Sequence, residues 1–348
     1  MKKLINPFKR LIFLSLALAP FLSIAKTGDN GTSDNIEKKR TISKTYNVGP
    51  DDRLSIENSF GNISVITWDK NEIQVDIEIG VRAPTDERAQ RMMDQINVSD
   101  HQGNQEIGFK TEIGDMGKHK DNGNDDGRKF YVDYKVSMPS RNPLRIENSF
   151  GKINIPDFTG SASLTSKFGE LTTGKIPNAK LIHVEFGKAE IGRLTNAEVI
   201  FKFNSKSTVA GLSGSSKVDV QFCSQVTLSI DNSVRELSLF QSYSTIDLKV
   251  PDDLSAKFDV YTNFGSFKNK TGFNIPEEQE DENSGPKFDK NYSGSAGTGS
   301  GKIKIKSSFG SVRVSNMNDK SVDREDDHEY NKDGDNDDDD KDDGKVKM

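Results

Sequence analysis

Apolar and polar residues alternate with a period of two along much of this chain, and that alternation predicts strands. It runs through Leu54-Ser55-Ile56, Ile63-Ser64-Val65-Ile66 and Ile73 to Ile79, and returns from Phe130 to Met138. Ordered structure is expected from about Thr41, after a polar leader. One segment has helical spacing instead. Ala89, Met92, Met93 and Ile96 form a stripe, Thr85 suits the N-cap, and Asp86 and Glu87 suit the first turn, so a short helix is expected over 85–96 as a cap or packing element.

A repeat organises the second half. Ile56-Glu57-Asn58-Ser59-Phe60-Gly61 recurs unchanged at 146–151, with a looser copy at Ile305-Lys306-Ser307-Ser308-Phe309-Gly310. In steps of 18 the chain reads Phe150, Phe168, Phe186, Asn204, Phe222, Phe240 and Phe258. A second column, Phe158, Ile176, Leu194, Leu212, Ile230 and Leu248, is unbroken. A third, Leu164, Ile182, Ile200, Val218 and Leu254, fails only at Glu236. The pattern predicts an all-β fold, a single-chain β-solenoid or β-helix with about 18 residues per coil. A coil contour of about 60 Å gives three short sides, one for each inward column. One coil cannot bury its own apolar residues, whereas coils stacked at roughly 4.8 Å turn each column into a continuous ladder. The Phe-Gly pairs read as corners, with glycine supplying the positive φ and the rings stacking; an aromatic row that binds a ligand is the other reading. A sandwich of hairpins with Asn-Ser-Phe-Gly loops competes as a fold, but sandwich strands rarely hold one step through three columns.

Composition fits a narrow interior. Only 32% of the 348 residues are hydrophobic and 29% are charged, too polar for one large apolar core. The net charge of -6 is concentrated in residues 319–348, which hold 14 Asp and Glu against 6 Lys and Arg, so the rest is close to neutral. That excludes a nucleic-acid binder, which needs a basic face. Lys2, Lys3, Lys9 and Arg10, an apolar run from Leu11 to Leu22 and Ser23-Ile24-Ala25 read as a cleaved secretory signal, leaving no membrane span in the mature chain. The expected organisation is a signal peptide over 1–25, a flexible leader over 26–40 and an N-terminal β segment over 41–143. Solenoid coils follow over 144–272, an acidic and Gly/Ser-rich exposed excursion over 273–300, terminal solenoid strands over 301–315 and a disordered acidic tail over 316–348.

Candidate chemistry is sparse. Gly294-Ser295-Ala296-Gly297-Thr298-Gly299-Ser300-Gly301-Lys302 fails as a phosphate loop, because Ala296 holds the first glycine position, Ile303 follows the lysine and the run opens a strand; it reads as a flexible linker. His101, His119, His183 and His328 show no zinc spacing. Cys223 cannot form an internal disulfide and reads as a small buried hydrophobe beside Phe222. Glu170, Glu185, Glu190 and Glu198, with Lys188 and Arg193, lie on neighbouring coils, and a lyase or glycosidase would need two such carboxylates facing across a groove; solvated strand faces are the simpler reading. The tail has the oxygen density for weak Ca²⁺ association but lacks the glycine and terminal glutamate of an EF-hand loop. No catalytic, cofactor or metal site is assigned.

The secretory signal, the paired apolar-x-apolar-x-Asn-x-x-Gly-x-apolar-x-apolar strands at Ile56 to Val65 and Ile146 to Ile155, the short helix between them and the repeating segments together resemble the putative-adhesin domain family of bacterial envelope proteins. The resemblance covers roughly Thr41 to Val314. It implies a non-enzymatic exported protein of the periplasm or cell surface, a binding or scaffold β-solenoid contacting glycan, a partner protein or itself. It also implies a link to envelope-stress signalling. The family carries no catalytic residues to transfer. A carbohydrate-active enzyme working in a solenoid groove is the alternative.

Overall fold

The computed structural model describes residues 35–115, 130–278 and 288–319. The signal segment, most of the leader and nearly all of the acidic tail lie outside the described residues.

Alternating β-branched and polar residues build the N-terminal strands β1 (Ile36–Asn47), β2 (Arg53–Asn58), β3 (Ile63–Trp68) and β4 (Glu72–Ala83). Helix α1 (Asp86–Asp94) precedes β5 (Ile96–Gly103), β6 (Glu106–Ile113) and β7 (Phe130–Pro139). Short strands then come in pairs: β8 (Leu144–Ser149) and β9 (Lys152–Ile155), β10 (Ala162–Lys167) and β11 (Glu170–Thr173), β12 (Ala179–Glu185) and β13 (Lys188–Thr195). After β14 (Glu198–Lys202) come two long strands, β15 (Lys206–Gln221) and β16 (Gln225–Ser242). The chain ends in β17 (Thr245–Val250), β18 (Ala256–Asn263), β19 (Ser266–Asn269), β20 (Asp289–Ala296), β21 (Gly301–Ser308) and β22 (Ser311–Asn316).

These strands form two long parallel ladders. In the first, β6, β2, β8, β10, β12, β14, the C-terminal halves of β15 and β16, β21 and β18 lie side by side. In the second, the order is β7, β3, β9, β11, β13, the N-terminal halves of β15 and β16, β17, β22 and β19. Antiparallel strands close the ladders: β5 on β6 and β1 on β4 on β7 at one end, β20 on β18 at the other. Such closure shields edges that would otherwise pair with other chains. Helix α1 follows the cap expected from sequence, with Thr85 Oγ1 accepting from the Arg88 amide at 3.3 Å and Ala89, Met92 and Met93 buried. It stops at Asp94 because Ile96 is drawn into β5 and its pairing with β6.

The core consists of vertical files. Ile56, Ile146, Leu164, Ile182, Val199, Val218, Leu239, Ile305 and Val260 are partners across successive strands, and all are fully buried. Phe158, Ile176, Leu194, Leu212 and Ile230 form another buried file, with Ile176 paired to Leu194 and Leu212 to both Leu194 and Ile230. Leu248 is buried but pairs with Leu228, so the constant step fails there.

Several sequence expectations are corrected. Ile182 pairs with Val199, leaving Ile200 half-exposed, because one residue is missing between Leu194 and Glu198 relative to the preceding level. The leader is shorter than expected, since β1 starts at Ile36 and pairs with β4 along its whole length. The excursion over 273–300 is not wholly exposed: Ile275 and Ala296 are buried, and β20 lies against β18. The Gly-rich segment is no linker; it turns β20 into β21 through Gly297 and Gly299, both at positive φ. Strands β21 and β22 are not the last level. They insert between β16–β17 and β18–β19, because the outer edge of β18 is taken by β20.

Leu194→Ala should lower stability by about 2–5 kcal/mol through the cavity it leaves, while Ile200→Ala should cost less than about 1 kcal/mol because the side chain is already partly in water. Urea titration of the two variants against the parent checks the ordering.

Candidate functional site

Where the chain passes from the first ladder to the second it turns through a two- or three-residue corner led by an aromatic residue, or, between β2 and β3, through the four residues 59–62 with Phe60 second. Phe60, Phe150, Phe168, Phe186, Phe203, Phe222, Tyr243, Phe309 and Phe264 thereby stand in one file, which Phe288, just before β20, continues by stacking on Phe264. Neighbouring ring centroids are 4.5–5.1 Å apart, and ring planes are within 15° of parallel. At one end Phe130 packs edge-on against Phe60 at 5.0 Å. The nine rings from Phe150 onward are 40–60% exposed.

The backbone sets this spacing. Each corner amide donates to the carbonyl just before the next aromatic: Phe150 N to Lys167 O at 2.9 Å, Phe168 N to Glu185 O at 2.9 Å, Phe186 N to Lys202 O at 3.0 Å and Phe203 N to Gln221 O at 2.9 Å. To make these bonds eight of the aromatics, all but Phe60 and Phe288, take φ between 47° and 61°. The expected stacking of rings at the corners is met, but glycine carries the positive φ only at the Phe60 corner, where Gly61 has φ 135°, and the aromatic column faces outward instead of inward. Glycine follows the aromatic for space: a Cβ at Gly169 would lie 1.9 Å from Gly151 O, and one at Gly187 2.1 Å from Gly169 O. The file also departs from the constant step. Phe203 replaces Asn204, Tyr243 replaces Phe240, and Phe258 is buried in the core. Asn204 is an extra corner residue folded inward. It donates to Val184 O at 3.2 Å and Ser207 Oγ at 3.1 Å and accepts from the Gly187 amide at 3.0 Å. Phe203, Tyr243, Phe264 and Phe288 were missed by a fixed period. The signal for the first three was an aromatic followed by Gly, Asn or Ser at the end of an alternating run; Phe288 sits before a strand instead.

Charged and polar residues flank the file. On the incoming side the paired strand ends carry Ser149, Lys167, Glu185, Lys202 and Gln221; on the outgoing side they carry Lys152, Glu170, Lys188, Lys206 and Gln225. Beside the outgoing row runs an open groove with a cavity volume of about 490 Å³. It is lined by Phe168, Phe186 and Phe203, by Gly169 and Gly187, and by Lys152, Glu170 and Lys188. Lys152 Nζ lies 2.8 Å from Glu170 Oε2, and that hydrogen bond holds the lysine above its ordinary pKa.

Of the four glutamates singled out from sequence, only Glu170 lines this groove, together with Lys188. Glu185 is on the opposite flank, 3.9 Å from His183 Nε2. Glu198 pairs with Lys217 at 3.3 Å and Arg193 with Asp231 at 2.5 Å, while Glu190 lies exposed on β13. Burial pushes the His183 imidazole below its ordinary pKa, against the pull of Glu185, and its Nε2 has no hydrogen-bond partner. His101 sits 3.5 Å from Glu106, and His119 and His328 lie outside the described residues. Cys223 is buried, with burial raising its thiol pKa and its Sγ donating to Gln221 O at 3.3 Å. Among the described residues no group of three His, Cys, Asp or Glu could hold a metal ion, and no helix is long and apolar enough to cross a membrane.

No family model matches this chain, and no curated protein matches it. Among the crystal structures that resemble it are a "putative cell adhesion protein" from Clostridium sporogenes, 12% identical, covering 80% of this chain and 100% of that one, and a "putative adhesin" from Bacteroides fragilis, 11% identical, covering 80% and 97%. Both have a TM-score of 0.27, too low to establish a shared fold.

Two outcomes test this geometry. Gly169→Ala should destabilise by roughly 1–3 kcal/mol, because its new methyl meets backbone that cannot swing away, whereas Gly103→Ala, with nothing within 4 Å of its Cβ, should be near neutral. The second concerns pH. His183 binds its proton more weakly when folded, so as pH falls through its ordinary value of 6.5 the unfolded chain takes up that proton first and stability drops. His183→Gln should flatten this part of the stability profile between pH 7.5 and 5.5, measured by denaturant midpoints.

Proposed function

We propose that this chain is a non-enzymatic, exported protein of the cell envelope, in the periplasm or at the surface. On this reading the two ladders wind as a β-solenoid of about 18 residues per coil. The solenoid serves as an adhesin-like scaffold that contacts glycan, a partner protein or another copy of itself along the aromatic file. The observation that carries the proposal is the exposure of nine stacked rings in one unbroken line. A soluble chain rarely leaves a continuous apolar strip bare unless something covers it. The flanking lysines, glutamates and glutamines supply the polar rim that a recognition surface needs. A link to envelope-stress signalling rests on the family resemblance alone.

The test is retention of envelope material by the immobilised mature chain, beside a version ending at Asn316 and a Phe168→Asn/Phe186→Asn variant. Asparagine tolerates positive φ, as Asn104 and Asn196 do here, so this variant removes two rings and keeps the corners. The parent and the truncated chain should retain glycan or protein, and the ring variant should lose most of it. Equal retention by the ring variant would move the contact away from the file, and loss on truncation alone would move it to the tail.

A further inference from the structure

The file presents an unusually large apolar surface for a chain acting alone. Its nine rings, each 40–60% exposed, amount to roughly 800 Å² if an aromatic side chain offers about 200 Å². A typical monomer's largest apolar patch is about 300–600 Å², while one partner in a stable protein complex buries about 800 Å². The bare strip thus has the area of one half of a dimer interface.

The charges beside it specify what the other half is. Phe168 stands between Lys167 and Glu170, and Phe186 between Glu185 and Lys188, so the sign across the file reverses from one level to the next. Neither Lys167 nor Lys188 has an ion-pair partner among the described residues. A two-fold rotation about an axis parallel to the file exchanges its incoming and outgoing flanks and keeps each level at the same height. That operation sets Glu185 against Lys188 of a second copy, and Lys167 against Glu170. Identical chains also share one spacing, 4.7–5.1 Å between these rings, so rings and flanks stay in step along the contact. We infer that the partner covering the aromatic file is a second copy of this chain, packed file against file with both chains running in the same direction. This rests on the reading of the file as a contact surface and names its partner.

Alternatives fit less well. Chains running in opposite directions would set the charged half of the file against Ser242, Ser308, Thr245 and Ser311, which offer no complementary charge. In the parallel arrangement one pair is unfavourable, because Lys202 and Lys206 meet across the axis. Both are at the rim, where solvent and salt screen the repulsion. The contact is isologous and closes at two copies, so it gives a dimer and no filament.

The experiment is sedimentation equilibrium of the processed full chain from about 1 to 100 µM, with three substituted variants and a chain lacking residues 320–348. The parent should form a dimer, and Phe168→Asn/Phe186→Asn should shift it to monomer by at least tenfold in dissociation constant. Lys188→Glu alone and Glu185→Lys alone should each weaken self-association, since each sets like charges opposite each other. Mixing these two should restore a dimer, because each supplies the charge that the other now lacks. A monomeric parent, a dimer indifferent to the ring changes, or charge variants that fail to rescue each other would overturn the proposal. A dimer seen only after removal of residues 320–348 would also overturn it, by showing that the tail covers the file. A monomer that still retains envelope material through the file would sink the pairing and leave the binding reading standing; a dimer that retains none would do the reverse.

Discussion

The corner aromatics sit in a backbone conformation that L residues avoid, at a cost of about 1–2 kcal/mol each. What holds them there is the ring above and the ring below. A stacked pair contributes about 0.5–1.5 kcal/mol beyond burial, and the corner amide gains a backbone hydrogen bond to the next level worth about 0.5–1.5 kcal/mol net. A ring in the middle of the file has two neighbours and comes out ahead. A ring standing alone would not. The favourable balance therefore belongs to the stack and to no single level, which makes the corners cooperative along the molecule. Phe60, at the end of the file with one stacked neighbour and Phe130 edge-on, does not adopt positive φ; its corner is longer and Gly61 takes the positive φ instead.

The aliphatic interior was largely legible from sequence because a buried inward position leaves no choice of residue type. Phe158, Ile176, Leu194, Leu212 and Ile230 stay in register and fully buried. The aromatic file was legible at Phe150, Phe168, Phe186 and Phe222, and at Phe60 and Phe309 through the recurring motif, but not at Phe203 and Tyr243 in between. A residue lost before Glu198 and regained at Asn204 moves one ring from Asn204 to Phe203, and extra residues between Ile230 and Glu236 move a later one from Phe240 to Tyr243. Exposure was misjudged for a different reason. Phenylalanine at a regular interval reads as core, and nothing in residue type distinguishes a ring stacked on its neighbours at a corner from one turned inward. The order of the last levels was not legible either, since adjacency in sequence says nothing about Ser242 pairing with Ser308 before Asn263 does.

Both ends of the ladders are managed by antiparallel strands. At the N-terminal end β1 carries Lys38, Lys39 and Lys44, each bonded or ion-paired to an acid on β4, α1 or β5, so the outermost strand is held by side chains as well as by its ladder. Placing basic residues on an edge strand also discourages further pairing. At the other end β20 reverses direction on β18 and brings Ile275 and Phe273 over the last level, through the Asn274–Ser295 bridge and the Phe258–Phe273 contact. Growth by simple strand addition is thus blocked at two faces, while the side of the molecule carrying the rings is left open.

The Asn204 corner has a consequence for how such a chain tolerates change. One residue is lost before Glu198 and one is returned between Lys202 and Lys206, so Lys188 and Lys206 are again aligned although Glu185 pairs with Lys202. At this level the loss is cancelled within one circuit, and Phe186, Phe203 and Phe222 stay stacked across it. The corner therefore works as a reset point: the flat sides differ in length from level to level while the line of rings keeps its alignment.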